Sequence, residues 1–462
     1  MNPEIRVPAD AAEIIANLER AGYEAYVVGG CVRDSVLGRE PEDWDITTSA
    51  SPEQVKELFP RTIDTGIVHG TVTVLKNRVG YEVTTYRLDG EYVDGRHPKE
   101  VTFTASLEED LKRRDFTINA MAYHPVRGLV DLHGGIEDLR DGKIRCVGNA
   151  RERFSEDALR ILRALRFASQ LDFTIEEETL AAVRELAPKL SLVSAERIRE
   201  ELVKLLGGKR PEMLITAYET GVTAMFLPEW DVMMRTPQDN PHHCYDVGRH
   251  TVEALRAMHE DEAYASAEPR VRNLLNVTML LHDVGKPARK TYDDKGIAHF
   301  YGHPEASEEM ARGILRRLKF DNDTIAAVRK LILFHDSRFR VADPEAFAHS
   351  VRRLTNRVGV EEMPLLFIIQ RGDIGGKKPE IREAGLGHVA LIEEAYREIV
   401  RKQQCVSLRD LAVSGADLIR IGFRSGPELG KMLAALLEHV LAKPDDNNAE
   451  TLLSIAREEL AE

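Results

Sequence analysis

The chain has 462 residues, 30% of them charged and 43% hydrophobic, too many for one hydrophobic core, so three or four domains are expected. Its formal net charge of −14 argues against non-specific coating of nucleic acid but leaves room for a local basic groove. Cys31, Cys146, Cys244 and Cys405 fit no paired metal spacing, the N-terminus shows no signal-peptide pattern, and no stretch approaches the roughly 20 apolar residues of a membrane span; a reduced, cytoplasmic protein is expected.

Tyr26-Val27-Val28 predicts a strand ending at Gly29-Gly30, followed by a short helix over Cys31–Leu37. Further strands are predicted over Asp45–Thr48, Thr71–Leu75 and Tyr81–Tyr86. From about Arg151 the pattern turns helical, with Leu159, Leu162, Leu165 and Phe167 at helical spacing and Ser155 as the expected N-cap of that helix. The polar, Pro-containing stretch 228–241 predicts a boundary, and a second linker is expected near 375–379. The chain reads as an α+β head followed by a long helical body.

In VVGGCVRDSVLGREPEDWDITT, a Gly-Gly turn precedes an Asp-x-Asp pair. Lacking Cβ atoms, Gly29 and Gly30 would let backbone N–H groups approach a phosphate closely. Asp43 and Asp45 stand two apart at the start of a strand, so their side chains face the same way. Adjacent carboxylates repel unless a cation lies between them, and such oxygen ligands suit Mg²⁺ on a triphosphate. Glu82, on the strand YEVTTYR, is a candidate third carboxylate. A turn followed by solvated strand acids fits the same pattern.

Further on, DLKRRDFTINAMAY places Arg113, Arg114 and Asp115 beside an apolar run. Guanidinium groups suit phosphates, and an aspartate can accept from a ribose hydroxyl; a local ion pair at a helix end is the alternative. In FSEDALRILRALRFA, Glu156 and Asp157 are expected in the first helical turn, and Asp157, Arg160 and Arg163 follow at i, i+3 and i+6, close to one face. An acid beside a guanidinium can hydrogen-bond the pairing edge of a base, although a surface ion-pair ladder has the same spacing.

Taken in order, GG-x-VRD-x-x-LGR, Asp-x-Asp, RRDFTINAMA and EDALRxLRAxRFA resemble class II CCA-adding enzymes and bacterial poly(A) polymerases over roughly residues 20–210. The resemblance implies a polymerase-β-like nucleotidyltransferase head in which Asp43 and Asp45 hold catalytic Mg²⁺ with Glu82 beside them. Gly29, Gly30, Arg33, Arg113, Arg114 and Asp115 would bind the nucleotide, with Asp115 choosing ribose. Glu156, Asp157 and Arg160 would serve as a protein template for CTP and then ATP, with Arg163 among the nucleotide-binding residues. Cytosine and adenine carry an amine beside a ring-nitrogen acceptor, whereas guanine and uracil present the opposite order and would leave buried groups unpaired. TYRLDGEYVDGRHPKEVTF, with Arg87, Asp89 and Arg96, resembles the loop that full CCA-adding enzymes use for A addition. SAERIREELVKLL, with Glu196, Arg197 and Glu200, resembles the neck motif bracing the template helix, and SGADLIRIGFRSGPELGKML resembles a bacterial CCA-enzyme tail that meets tRNA phosphates. The acidic continuation RFASQLDFTIEEET favours CCA addition over poly(A) synthesis.

The second half carries a His-Asp set: His250 in RHTVEAL, His282 and Asp283 in LLHDVGKP, His303, His335, and Asp373 in QRGDIGG. This order resembles HD-superfamily metal phosphohydrolases, in which imidazoles and carboxylates converge on a divalent ion that activates water. His250, His282, Asp283 and Asp373 would hold one ion, Ni²⁺, Mn²⁺ or similar; His303 and His335 would hold a second ion or the phosphate, and Lys286 is a candidate phosphate partner. A degenerate structural unit is the alternative. His242, His243, His259 and His299 read as surface or loop residues.

The expected layout is a nucleotidyltransferase head (1–148), a helical neck (149–235), a helical HD domain (236–380) and a helical tRNA-binding tail (381–462). The expected reaction is template-independent CCA addition to tRNA from CTP and ATP, with A-only addition, poly(A) synthesis and an HD phosphohydrolase acting on RNA ends as rivals. Arg352, Arg353, Lys377 and Lys378 are expected to contribute to a basic strip; the oligomeric state is not legible.

Overall fold

A computed structural model describes residues 4–89 and 101–461; Arg96 lies outside the described residues. Contacts divide the chain into two units, Met1–Asp231 with Arg317–Lys319, and Val232–Arg316 with Phe320–Glu462.

The first unit is built on a seven-stranded sheet. Its strands are β1 (Ala25–Val28), β2 (Ile46–Thr48), β3 (Thr62–Gly66), β4 (Thr71–Lys76), β5 (Val79–Thr85), β8 (Met121–His124) and β9 (Gly128–Asp131), in the order β3-β4-β5-β2-β1-β8-β9. A separate antiparallel ribbon pairs β6 (Arg87–Asp89) with β7 (Val101–Phe103). Four successive buried residues, Ala25 to Val28, place β1 deep in the sheet, where both faces are covered. β2 runs parallel to β5 while its other neighbour, β1, is antiparallel, so the sheet is mixed. The strands expected from the sequence are present; β3, β8 and β9 complete the sheet without having been predicted.

The remainder is helical, as expected for an α+β head on a helical body. Helix boundaries depart from the sequence reading at one important point. Ser155 is not an N-cap: Asn149 caps a helix over Ala150–Glu156, Asp157 ends it, and a second helix runs over Leu159–Leu171. Asn149 wins because its side chain accepts from the N–H groups of Arg151 and Glu152.

The stretch 228–241 begins as a helix, Pro228–Met234, whose Trp230 is fully buried. The expected linker at 375–379 is a close-packed turn between helices Met363–Gly375 and Pro379–Arg401, with Lys377 buried. The second unit has its own core of Leu, Ile, Val and Phe, including Val351, Leu366, Phe367, Ile392 and Leu436. Among the described residues no helix is long and apolar enough to cross a membrane.

Candidate functional site

β1 ends at Val28 and the chain turns at Gly29, whose φ of 80° lies in the left-handed region. A Cβ there would lie 3.0 Å from Nη1 of Arg114, so glycine allows that guanidinium to rest against the turn. Asp45 stands just before β2, and its carbonyl accepts from the Val28 N–H at 3.0 Å. Because Ile46 pairs in register with Val83, Asp45 and Glu82 occupy neighbouring positions one residue earlier on the parallel strands. Burial raises the Asp45 pKa to about 6; Glu82 and Asp43 push the same way, and Arg114 opposes them. A half-buried carboxylate crowded by two more acids lacks positive charge, and a divalent cation with oxygen ligands fits that deficit.

The arginines of the second motif are anchored by a residue the sequence reading passed over. Asp110, fully buried, receives Arg113 Nε and Nη2 at 3.0 and 2.8 Å, Arg114 Nη2 at 3.4 Å, and the Thr47 hydroxyl at 3.1 Å. Its spacing of three and four from the arginines was the available signal. A polar chain then joins the first motif to the second. Arg33 pairs with Asp34 at 2.8 Å and donates to Asn119 at 2.6 Å; Asn119 donates to Asp115 Oδ1 at 3.1 Å; Arg163 Nε donates to Asp115 Oδ2 at 2.8 Å. Burial works against a charge on Asp115, but Arg163 and Asn119 hold it well below the ordinary carboxylate value.

Asp157, Arg160 and Arg163 do not share one helix, because the break at Asp157 and Ala158 intervenes. Asp157 Oδ1 accepts from the Leu159 N–H at 3.0 Å, and Arg197 grips both oxygens at 3.2 and 2.7 Å. Arg160 Nη1 donates to Glu156 at 2.6 Å and to the Arg153 carbonyl at 3.0 Å, while Nη2 donates to the Arg113 carbonyl at 3.1 Å. Both side chains are therefore held in fixed directions. Arg197 comes from helix Ala195–Leu206, the expected neck motif. Of its acids, the exposed Glu200 is not the bracing one. Glu201 is buried and pairs with Arg166 at 2.7 Å, whose guanidinium lies 3.7 Å from the Phe167 ring centroid.

In the second unit, the His-Asp residues converge. His250 lies in helix Val247–His259, His282 and Asp283 follow helix Pro269–Leu281, His303 opens helix His303–Arg317, His335 follows helix Asn322–Phe334, and Asp373 ends helix Met363–Gly375. Each imidazole Nδ1 faces a backbone carbonyl: His250 faces Gly376 at 3.1 Å, His282 Met279 at 2.7 Å, His303 Phe300 at 2.9 Å and His335 Ile332 at 2.6 Å. A carbonyl only accepts, so Nδ1 carries the proton and Nε2 turns inward as the ligand atom.

His250, His282, Asp283 and Asp373 offer ligand atoms within 4.8 Å of one another, and so do Asp283, His303 and His335. The His303 and His335 Nε2 atoms approach to 3.3 Å, two lone pairs that repel unless a cation or proton lies between them. Neither Asp283 oxygen receives a well-aligned hydrogen bond, although Lys286 Nζ lies 2.7 Å from Oδ2. Burial opposes a charge on His282, but Asp283 outweighs it and lifts its pKa to about 9. This donor set fits divalent ions, with Asp283 common to both groups.

Family models match in the same order as the motifs: Poly A polymerase head domain at residues 25–145, Probable RNA and SrmB- binding site of polymerase A at 172–234, HD domain at 242–371, and tRNA nucleotidyltransferase domain 2 at 381–456. The CCA-adding enzyme of Enterococcus faecalis is 35% identical over 453 residues, covering 97% of this chain and 96% of its own. That of Latilactobacillus sakei is 37% identical over 452 residues, covering 97% and 98%. This chain belongs to the CCA-adding enzyme family. The crystal structure of the Bacillus stearothermophilus CCA-adding enzyme in complex with CTP superposes with a TM-score of 0.71 at 30% identity, covering 98% of this chain and 97% of its own. The nucleotidyltransferase family implies a divalent metal, which the acids around Asp45 fit.

Within this CCA-adding enzyme family member, several expectations need correction. Arg352 is buried and donates to the Leu441 carbonyl at the end of helix Pro427–Ala442, so it does not line a basic strip. Lys377 is buried against Asp373 at 2.5 Å. His243 is no ordinary loop residue: its ring meets that of His250 at a centroid distance of 4.8 Å. His259 is structural, stacked on Tyr264 and bonded to Asn276 at 2.9 Å.

Proposed function

We propose that this chain completes the 3′ end of tRNA, adding C, C and A from CTP and ATP and releasing pyrophosphate. The observation carrying this reading is the β2–β5 register, which sets Asp45 and Glu82 side by side with Asp43 two residues upstream. Asp43 and Asp45 would hold Mg²⁺, with Glu82 completing the acidic patch. When bound, Mg²⁺ makes the RNA 3′-hydroxyl more acidic and screens charge on the triphosphate.

The chain's own residues do the remaining work. Gly29, Gly30, Arg33, Arg113 and Arg114 receive the phosphates, and Asp110 keeps the two arginines aimed. Asp115 retains acceptor capacity for a ribose hydroxyl beyond its bonds to Arg163 and Asn119. Asp157 Oδ2, bonded to Arg197, keeps a lone pair for an exocyclic amine, while Arg160 presents its guanidinium to the ring-nitrogen acceptor. Arg163 supports this pocket through Asp115. Residues 1–148 serve as head, 149–235 as neck and 381–462 as tRNA-binding tail. A cytoplasmic setting accords with four free cysteines.

The test supplies Mg²⁺ and one nucleotide at a time to tRNA transcripts lacking the whole CCA end, the last two nucleotides, or the terminal A. CTP incorporation on the shortest transcript and ATP incorporation on the longest support the reading. ATP incorporation on the longest transcript alone would make it an A-adding enzyme, and a long A-tail on any RNA would make it a poly(A) polymerase.

A second reading concerns the HD domain, residues 236–380, within the second unit. The inward Nε2 atoms of His250, His282, His303 and His335 favour a metal centre shared with Asp283 and Asp373, loaded with Ni²⁺, Mn²⁺ or a similar ion. Such a centre would hydrolyse phosphoesters on RNA ends. Phosphate release that depends on added Mn²⁺ or Ni²⁺ and is lost in His282→Ala tests it.

A further inference from the structure

Arg153 stands in the last turn of helix Ala150–Glu156, three residues before Glu156. On a helix surface that spacing gives an ion pair of little consequence. Here the pair is neither fully exposed nor alone. The side chains of Arg153, Glu156 and Arg160 are 17%, 22% and 11% exposed, and the two arginines share the Glu156 carboxylate. Its Oε1 lies 2.5 Å from Nη2 of Arg153, and its Oε2 lies 2.6 Å from Nη1 of Arg160. Each guanidinium takes one oxygen, so neither takes both.

Both arginines also reach the same piece of backbone far upstream. Arg153 Nη1 donates to the Lys112 carbonyl at 3.4 Å, and Arg160 Nη2 donates to the Arg113 carbonyl at 3.1 Å. These carbonyls lie at the end of helix Leu107–Lys112, where the last C=O groups find no partner within the helix. The same helix end carries Arg113 and Arg114, held by Asp110. Arg160 is tied as well to the Arg153 carbonyl at 3.0 Å. One helix end, one shared carboxylate and two guanidinium groups thus form a connected set. It places the residue that reads the base relative to the residues that receive the phosphates.

We propose that Arg153 is a positioning residue for base selection, occupying one oxygen of Glu156 so that the carboxylate cannot turn both onto Arg160. The last torsion of a glutamate is soft, and a carboxylate facing a guanidinium favours contact through both oxygens. Without Arg153, Glu156 captures Arg160 and turns it away from the ring-nitrogen acceptor of the incoming base. Arg153 acts through its neighbours and needs no contact with the nucleotide. The proposal rests on the reading of Arg160 as base-selecting and adds a residue outside the motif EDALR.

Uracil is the informative competitor. It presents a ring N–H where cytosine presents an acceptor, so it gains nothing from an aligned Arg160 and loses nothing when Arg160 turns. The test gives the full chain Mg²⁺, a tRNA transcript lacking the whole CCA end, and CTP or UTP, and measures kcat/KM for each. Arg153→Met keeps an apolar stem and removes the charge. It is expected to lower kcat/KM for CTP by about tenfold and to leave that for UTP within about twofold. An equal fall for both nucleotides makes Arg153 a structural brace and overturns the proposal, as does an unchanged value for CTP. A thermal melt establishes that the variant is folded. Should it not be, Arg153→Gln takes its place with the same expectation, since it can still donate to the Lys112 carbonyl but carries no charge. Adding Glu156→Gln to Arg153→Met removes the charge that captures Arg160 and should recover about threefold of the loss; no recovery overturns the capture. Arg160→Ala separates the two readings. If it leaves the CTP-to-UTP ratio at the parent value, Arg160 does not select the base and both readings fall. If the ratio collapses in Arg160→Ala and holds in Arg153→Met, only the positioning role falls.

Discussion

Asp45 shows how a single carboxylate records its neighbours. Its pKa of about 6 exceeds the ordinary aspartate value because burial, Glu82 and Asp43 all resist its charge. A folded pKa above the unfolded one costs stability as pH rises: the penalty is absent below about pH 4 and complete above about pH 6. With chelator present, Asp45→Asn should therefore stabilise the protein by about 2 kcal/mol at pH 8 and by nothing at pH 4. It should also abolish nucleotide addition. Thermal melts at the two pH values check the first outcome, and equal shifts at both would refute the electrostatic cause. Arg197 makes a different case. Removing it leaves Asp157 oriented by the Leu159 N–H alone. Arg197→Ala should lower the CTP-to-UTP ratio of kcat/KM by roughly tenfold, more than it changes overall folding; an unchanged ratio would make Arg197 a mere brace.

At the scale of elements, the sites depend on where helices stop. Glu156 and Asp157 were legible as candidate template residues from the family resemblance of the motif EDALR, but the break between Ala150–Glu156 and Leu159–Leu171 was not. Ser155 looked like a cap because Ser followed by acids is a common helix start. Asn149 starts the helix six residues earlier, and Asp157 then bonds its own chain two residues on, ending it. The turn at 375–379 misled for a related reason: Gly and Lys suggest solvent, whereas here glycine permits contact. A Cβ on Gly376 would lie 2.8 Å from both Nδ1 and O of His250. Gly376→Ala should push this turn, and the carbonyl that orients the His250 ring, away from His250 and weaken Mn²⁺ binding by roughly 10- to 100-fold, read by metal titration, with addition of CCA unaffected.

For the whole molecule, a net charge of −14 coexists with membership of a tRNA-acting family. RNA must then meet local arrays of Lys and Arg, and its binding should still weaken with salt. A plot of log binding constant against log salt should fall with a slope of roughly 0.7–0.9 per phosphate contacted; filter binding from low to moderate salt measures it, and a flat line would rule out phosphate contacts as the source of affinity. The division into two units lets the head's acidic patch and the His-Asp cluster be built on separate cores.

Local chemistry was readable in the linear order of residues. The Gly-Gly turn, Asp-x-Asp, the Arg-Arg-Asp motif and the His-Asp series each depend on spacings of a few residues, which strand and helix periodicity translate directly into shared faces. Family membership followed from their order. Pairings between distant segments were not readable: Thr47 on Asp110, Arg197 on Asp157, Arg163 on Asp115, and Glu201 rather than Glu200 on Arg166. Those contacts exist because burial makes every charge find a partner, and which partner is nearest is settled only when the sheet and helices pack.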